Sequence, residues 1–86
     1  MPKISEFFGI SIYIYYRDHS PPHFHAIYGG DEVIVSIADL SVRQGKLGQR
    51  ALGLVMEWAA QHEKELAKVW DQATAHQPLS KIEPLR

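Results

Sequence analysis

The spacing of apolar and polar residues changes period once along the chain, near Gly48. Ahead of that point it runs in twos. Residues 10–16, Ile-Ser-Ile-Tyr-Ile-Tyr-Tyr, alternate with a β-branched and aromatic bias. This predicts a strand with Ile10, Ile12, Ile14 and Tyr16 on one face and Ser11, Tyr13 and Tyr15 on the other. Two further runs, 23–28 and 32–37, flank Gly29-Gly30-Asp31, and glycine supplies the positive φ that tight hairpin turns need. With Gly29 and Gly30 as the loop, Tyr28 lies opposite Asp31, Ala26 opposite Val33, His25 opposite Ile34, Phe24 opposite Val35 and His23 opposite Ser36. Paired residues share a face, so polarity tests this register. Phe24, Ala26, Val33, Val35 and Ile37 fall together as a core face. His23, His25, Ile27, Glu32, Ile34 and Ser36 fall on the other, and a slip of one residue would set histidines against valines. If the first strand is antiparallel to the second, Tyr15 comes near His25 and Arg17 near His23.

From about residue 48 to 76 the period becomes helical, with Ala51, Leu52, Val55, Trp58, Ala59, His62, Leu66, Val69, Trp70 and Ala73 recurring at three and four, until Pro78 stops it. A helix of that length runs about 40 Å, whereas a six-residue strand spans about 20 Å. The half carrying Leu66, Val69 and Trp70 must therefore overhang the sheet or bend, and its apolar face needs a cover. Either the C-terminal segment with Ile82 and Leu85 folds back, or a second copy of the chain supplies it, and the two combine in a domain-swapped dimer. Leu66, Val69, Trp70, Ile82 and Leu85 are thus the expected interface residues. The expected fold is α+β: a three- or four-stranded antiparallel sheet, the fourth strand lying around Ser41-Val42-Arg43, with one long C-terminal helix packed on one face. A single domain spans residues 1–86, with a tail over 77–86.

Composition narrows what such a domain can do. A chain of 86 residues has room for one small core, and at this size only about 60% of the unfolded chain's surface is buried on folding. Cysteine is absent, which removes disulfides, thiolate chemistry and cysteine-based zinc motifs, and leaves histidine and carboxylate as metal ligands. Nine Lys plus Arg against ten Asp plus Glu give a formal charge of −1, without the basic surplus of a phosphate-backbone binder. No apolar run reaches the roughly 18 residues of a membrane span, and the N-terminal residues do not resemble a secretory leader, so a soluble cytoplasmic protein is expected.

The candidate chemistry gathers in His19-Ser20-Pro21-Pro22-His23-Phe24-His25. Histidines at i and i+2 of a strand point the same way, so His23 and His25 can converge on one ion, with His19 or Asp18 swung in by the stiff proline turn. Imidazoles with a carboxylate suit a divalent transition metal such as zinc, iron, nickel or manganese. Alternatively, His23 and His25 beside Arg17 form the acid, base and cation of a metal-free phosphodiesterase. Without such chemistry, they are half-exposed strand residues behind a proline turn. The tyrosine-bearing face also suits stacking on bases or docking of a protein, and the charge favours protein. On the helix, Trp58 and Trp70 read as core or interface anchors, His62 as a hydrogen-bonded buried residue, and Glu65 with Lys68 as a surface pair.

Four blocks together resemble a known family: Pro2-x-Ile4-Ser5-x-Phe7-x-Gly9-Ile10, Asp18-His19-x-Pro21-Pro22-His23-Phe24-His25, Arg50-Ala51-Leu52-Gly53-Leu54-Val55-x-Glu57-Trp58-Ala59 and Lys81-Ile82-Glu83-Pro84-Leu85. They are similar to the small bacterial proteins of the domain of unknown function DUF4160. Ser20 departs from the pattern, which usually has a third proline there. The resemblance implies no assigned activity. It does imply an arrangement like a toxin–antitoxin gene pair, since members are often encoded beside another small protein. Two readings follow. The first is an interaction module acting as a homo-oligomer or with a neighbour-encoded protein. The second is a histidine-dependent enzyme, metal-binding or ribonuclease-like, that uses His19, His23 and His25.

Overall fold

The hairpin register read from polarity is the one the chain adopts. In the computed structural model, which describes residues 2–86 and so leaves Met1 of the expected domain outside the described residues, β3 (His23–Tyr28) pairs antiparallel with β4 (Asp31–Ser36). Its pairs run from Tyr28↔Asp31 to His23↔Ser36. Phe24, Ala26, Val33 and Val35 are fully buried.

The sheet is larger than expected, with five strands in the order β1-β2-β3-β4-β5, all neighbours antiparallel. The unforeseen strand is β1 (Lys3–Phe7), which pairs with β2 (Ile10–Tyr13). Its alternation is hidden by a bulge between Lys3 and Ser5, which lets Ile4 and Phe7, three apart, both reach the core. Phe8 and Gly9, at φ 50° and 81°, form the two-residue turn of a primed type, and Phe8 is an unusual residue to hold that conformation. β2 stops at Tyr13 rather than Tyr16; continued in the same register, Tyr16 and Arg17 would face Pro22 and Pro21, which lack the N–H a ladder needs, so the pairing could not reach Tyr16. Tyr16 instead donates its hydroxyl to the Gln77 carbonyl at 3.0 Å.

β5 (Val42–Gly45) completes the sheet beside β4. Asp39 shapes the preceding turn by accepting hydrogen bonds from the Ser41 hydroxyl at 2.7 Å and its N–H at 3.2 Å. These bonds hold its carboxyl below the usual carboxylate range. Gly45 sits at φ +79°, and a Cβ there would lie 2.2 Å from the Glu32 carbonyl oxygen. Gly45→Ala is therefore expected to cost about 2–5 kcal/mol, from the left-handed backbone and the forced displacement of β4 together. Urea unfolding should show its midpoint lowered by roughly 1–3 M. An unchanged midpoint would mean that β5 is free to shift away from Glu32.

The single long helix is a correction: the chain forms two, α1 (Gln49–Gln61) and α2 (Glu63–Thr74), broken at His62. The molecule's longest extent is 33 Å, too short for a straight helix of about 40 Å, and the break brings both apolar stripes into one core. Glu63 and Glu65 mark the new N-terminus, where the helix dipole favours acidic residues. On α1, Trp58 is fully buried against Phe7 and Phe24, with ring centroids 5.3 and 5.8 Å apart. The tail folds back. Ile82 N–H donates to the Ile4 carbonyl at 2.8 Å, Trp58 Nε1–H donates to the Glu83 carbonyl at 2.8 Å, and Ser80 is held by two hydrogen bonds to Gln72. Leu66, Val69, Trp70, Ile82 and Leu85, expected at an interface, are consequently buried within the protomer.

Candidate metal centre

The sheet face turned away from Trp58 carries a row of four in-register residues, one from each of four neighbouring strands: Tyr13, His25, Ile34 and Gln44. His23 stands two residues before His25 on the same face, as strand geometry requires. Its ring leans on Trp70 of α2, centroids 5.2 Å apart, and on His25 at 5.3 Å. Tyr15 has left the ladder but stays in place, its ring meeting His25 edge-on at 4.6 Å and stacking on Tyr13 at 5.9 Å. Burial pushes the Tyr15 phenol above its usual pKa, and the negative charges of the nearby Glu32 and Asp18 carboxylates push the same way. Tyr15 is thus a neutral wall of the site.

The turn before β3 swings Asp18 over both histidines. One carboxylate oxygen, Oδ2, lies 3.1 Å from His23 Nε2 and 2.9 Å from His25 Nε2. The other ring nitrogens are also engaged: His23 Nδ1 lies 2.8 Å from the Pro21 carbonyl oxygen, and His25 Nδ1 lies 2.8 Å from Glu32 Oε2. A carbonyl only accepts, so His23 Nδ1 carries a proton, and a neutral His23 presents a lone pair on Nε2 to the Asp18 carboxylate. Neutral His25 can donate to Asp18 or to Glu32, not to both. With both imidazoles neutral, two of these four contacts set acceptor against acceptor. Two positive charges resolve the conflict, supplied as two added protons or as one divalent cation.

The second solution accounts for more of the geometry. With both Nδ1–H groups donating outward, both Nε2 lone pairs and Asp18 Oδ2 point inward, and these three residues form a group whose ligand atoms lie within 4.8 Å of one another. Donor atoms each about 2.1 Å from one ion sit about 3.0–3.4 Å apart in octahedral or tetrahedral arrangements. The two Asp18 separations fall near that range. The outer partners match as well, since metal-bound histidines usually donate their second N–H to a carboxylate or a backbone carbonyl. The histidine side chains are only 11% exposed, and that of Asp18 24%, so the ligands are held in place and part of the ion's sphere would stay open to the adjoining cavity of about 360 Å³.

His19 lines that cavity but lies outside the convergent group, and among the described residues it makes no hydrogen bond. Arg17 is exposed and, among the described residues, forms no ion pair; the arginine on the cavity wall is Arg43 of β5, beside Gln44. Sequence reasoning put Glu32 on the histidine face without giving it a role. Its diagonal relation to His25, two residues from the directly paired Ile34, was the available signal. Arg43 lay in the strand expected around Ser41-Val42-Arg43 but without a face assigned to it, and Gln44 came in only with the extension of β5 to Gly45.

A family described as a domain of unknown function (DUF4160) matches residues 9–71, which include every ligand, both outer partners and Arg43. No curated protein and no solved structure matches the chain.

Proposed function

Because the chain belongs to the DUF4160 family, whose description assigns no activity, the functional reading rests on the site, and we propose that the protein is a mononuclear transition-metal protein. Its ligands are His23, His25 and Asp18. The observation that carries this reading is the single carboxylate oxygen of Asp18 lying within hydrogen-bond distance of both Nε2 atoms, while both Nδ1 atoms are turned outward to acceptors. Closed, structural zinc sites use four protein ligands, whereas three ligands facing a cavity leave a position for water or substrate. The centre is of the second kind. A bound ion would act as a Lewis acid there, and in a toxin–antitoxin-like gene pair this chain would be the chemically active member.

The residues expected to form a docking face on the helix are buried within this chain, which supports the histidine site over that face as the seat of function. The test is metal content. Protein purified without a histidine tag, dialysed against zinc and freed of excess, should carry one ion per chain by elemental analysis. His23→Ala, His25→Ala and Asp18→Asn should each reduce this to less than a tenth, whereas His19→Ala should keep it. Equal zinc in the wild type and the His25→Ala variant would sink the reading.

A further inference from the structure

The cavity beside the ligands has one feature the metal does not use. Arg43 of the edge strand β5 lines its wall together with Gln44, in the same cavity as Asp18 and the proline turn that follows it. Among the described residues this guanidinium, like several other exposed cations of the chain, makes no ion pair and no side-chain hydrogen bond; what sets it apart is that it alone of the arginines and lysines lines this cavity. Asp18 is the one carboxylate lining the cavity, and both of its close contacts are already the histidines. A divalent ion held by the triad would therefore share a pocket with an uncommitted cation.

We propose that this cavity binds a phosphoryl group, one oxygen on the metal ion and the others on Arg43, so that Arg43 is the substrate-recognising residue of the site. This rests on the metal reading above. The chemistry favours a tetrahedral oxyanion over a carboxylate. The guanidinium fork matches two oxygens at once, and a phosphoryl group keeps a third for the ion, whereas a carboxylate has only two to share. Size and charge restrict the ligand further. About 360 Å³ is at the small end for a ligand pocket, and a chain of net charge −1 lacks the basic surplus that usually accompanies a polynucleotide backbone. The ligand is thus a small phosphorylated molecule, and Gln44 offers its amide as a further donor.

The protein loaded with cobalt(II) and freed of excess metal gives two separate readouts. Its visible d–d spectrum reports the metal site, and calorimetric titration with inorganic phosphate reports the anion site. Phosphate should bind the loaded wild type and change the cobalt spectrum, and should not bind the metal-free protein. Arg43→Ala should weaken phosphate at least tenfold, Arg43→Lys should recover part of the loss, and both should hold cobalt within twofold of wild type. The inference is overturned if Arg43→Ala binds phosphate as well as wild type, or if acetate binds the loaded protein as tightly as phosphate does. Absence of any protein-bound cobalt spectrum would instead overturn the metal reading beneath it.

Discussion

Zinc at a hundredfold excess over its dissociation constant is expected to raise the melting temperature of this protein by about 10–20 °C. Binding to the folded chain alone contributes about 2.7 kcal/mol at that ratio. In a domain of this size each kcal/mol is worth about 4–8 °C. The His25→Ala and Asp18→Asn variants should show no rise, and a rise of equal size in either would place the ion elsewhere. The metal-free proteins carry a second, opposite signature. In the metal-free wild type with neutral imidazoles, two contacts set lone pairs against carboxylate oxygens. Asp18→Asn puts an amide with two N–H donors at the meeting point, so one group can serve both Nε2 atoms while both Nδ1–H groups keep their outer partners. At about 0.5–1.5 kcal/mol per hydrogen bond, the metal-free variant should be more stable than the metal-free wild type by roughly 1–3 kcal/mol, in buffer alkaline enough to keep the imidazoles neutral. Thermal melts with and without chelator read both effects. A variant that is destabilised when free of metal would show that Asp18 serves the fold and not an ion.

The histidine face was legible in the sequence because three simple constraints coincide there. The two-glycine turn fixes the hairpin register, the period of two places His23 and His25 together, and the prolines force a turn that leaves Asp18 within reach. Strand β1 was not legible, since a bulge erases the alternation that a reader counts, and a phenylalanine occupies a turn position usually held by asparagine or glycine. The helix break at His62 contains neither proline nor glycine. Its apolar repeat continues at three and four across the break, so periodicity alone describes one helix. Only the size of the sheet to be covered shows that the stripe must fold on itself. Arg43 illustrates a further limit: its place on the cavity wall depends on a strand paired along an edge, which local spacing does not encode.

Trp58 joins the helical layer, the sheet and the tail, and its replacement is expected to have the largest effect on the fold. Its ring is fully buried between Phe7 of β1 and Phe24 of β3, and its indole N–H donates to the Glu83 carbonyl. Trp58→Ala should cost about 3–5 kcal/mol, from lost transfer energy and the cavity left behind. At about 0.05–0.15 kcal/mol per residue, the whole chain has roughly 4–13 kcal/mol to lose, so this variant should melt at least 12 °C lower or fail to fold. Trp58→Phe separates the two roles of the side chain. It keeps an aromatic ring in the core but removes the donor, leaving the Glu83 carbonyl without a partner. About 1 kcal/mol is then taken from the contact that holds the tail down. Local opening should rise accordingly, and trypsin should cut after Lys81, next to the anchoring Ile82, about fivefold faster than in wild type. Cleavage after Arg43, at the far edge of the sheet, should change less. Equal acceleration at both sites would mean that the tail opens only when the whole domain does, and that the indole hydrogen bond has no separate part in holding it.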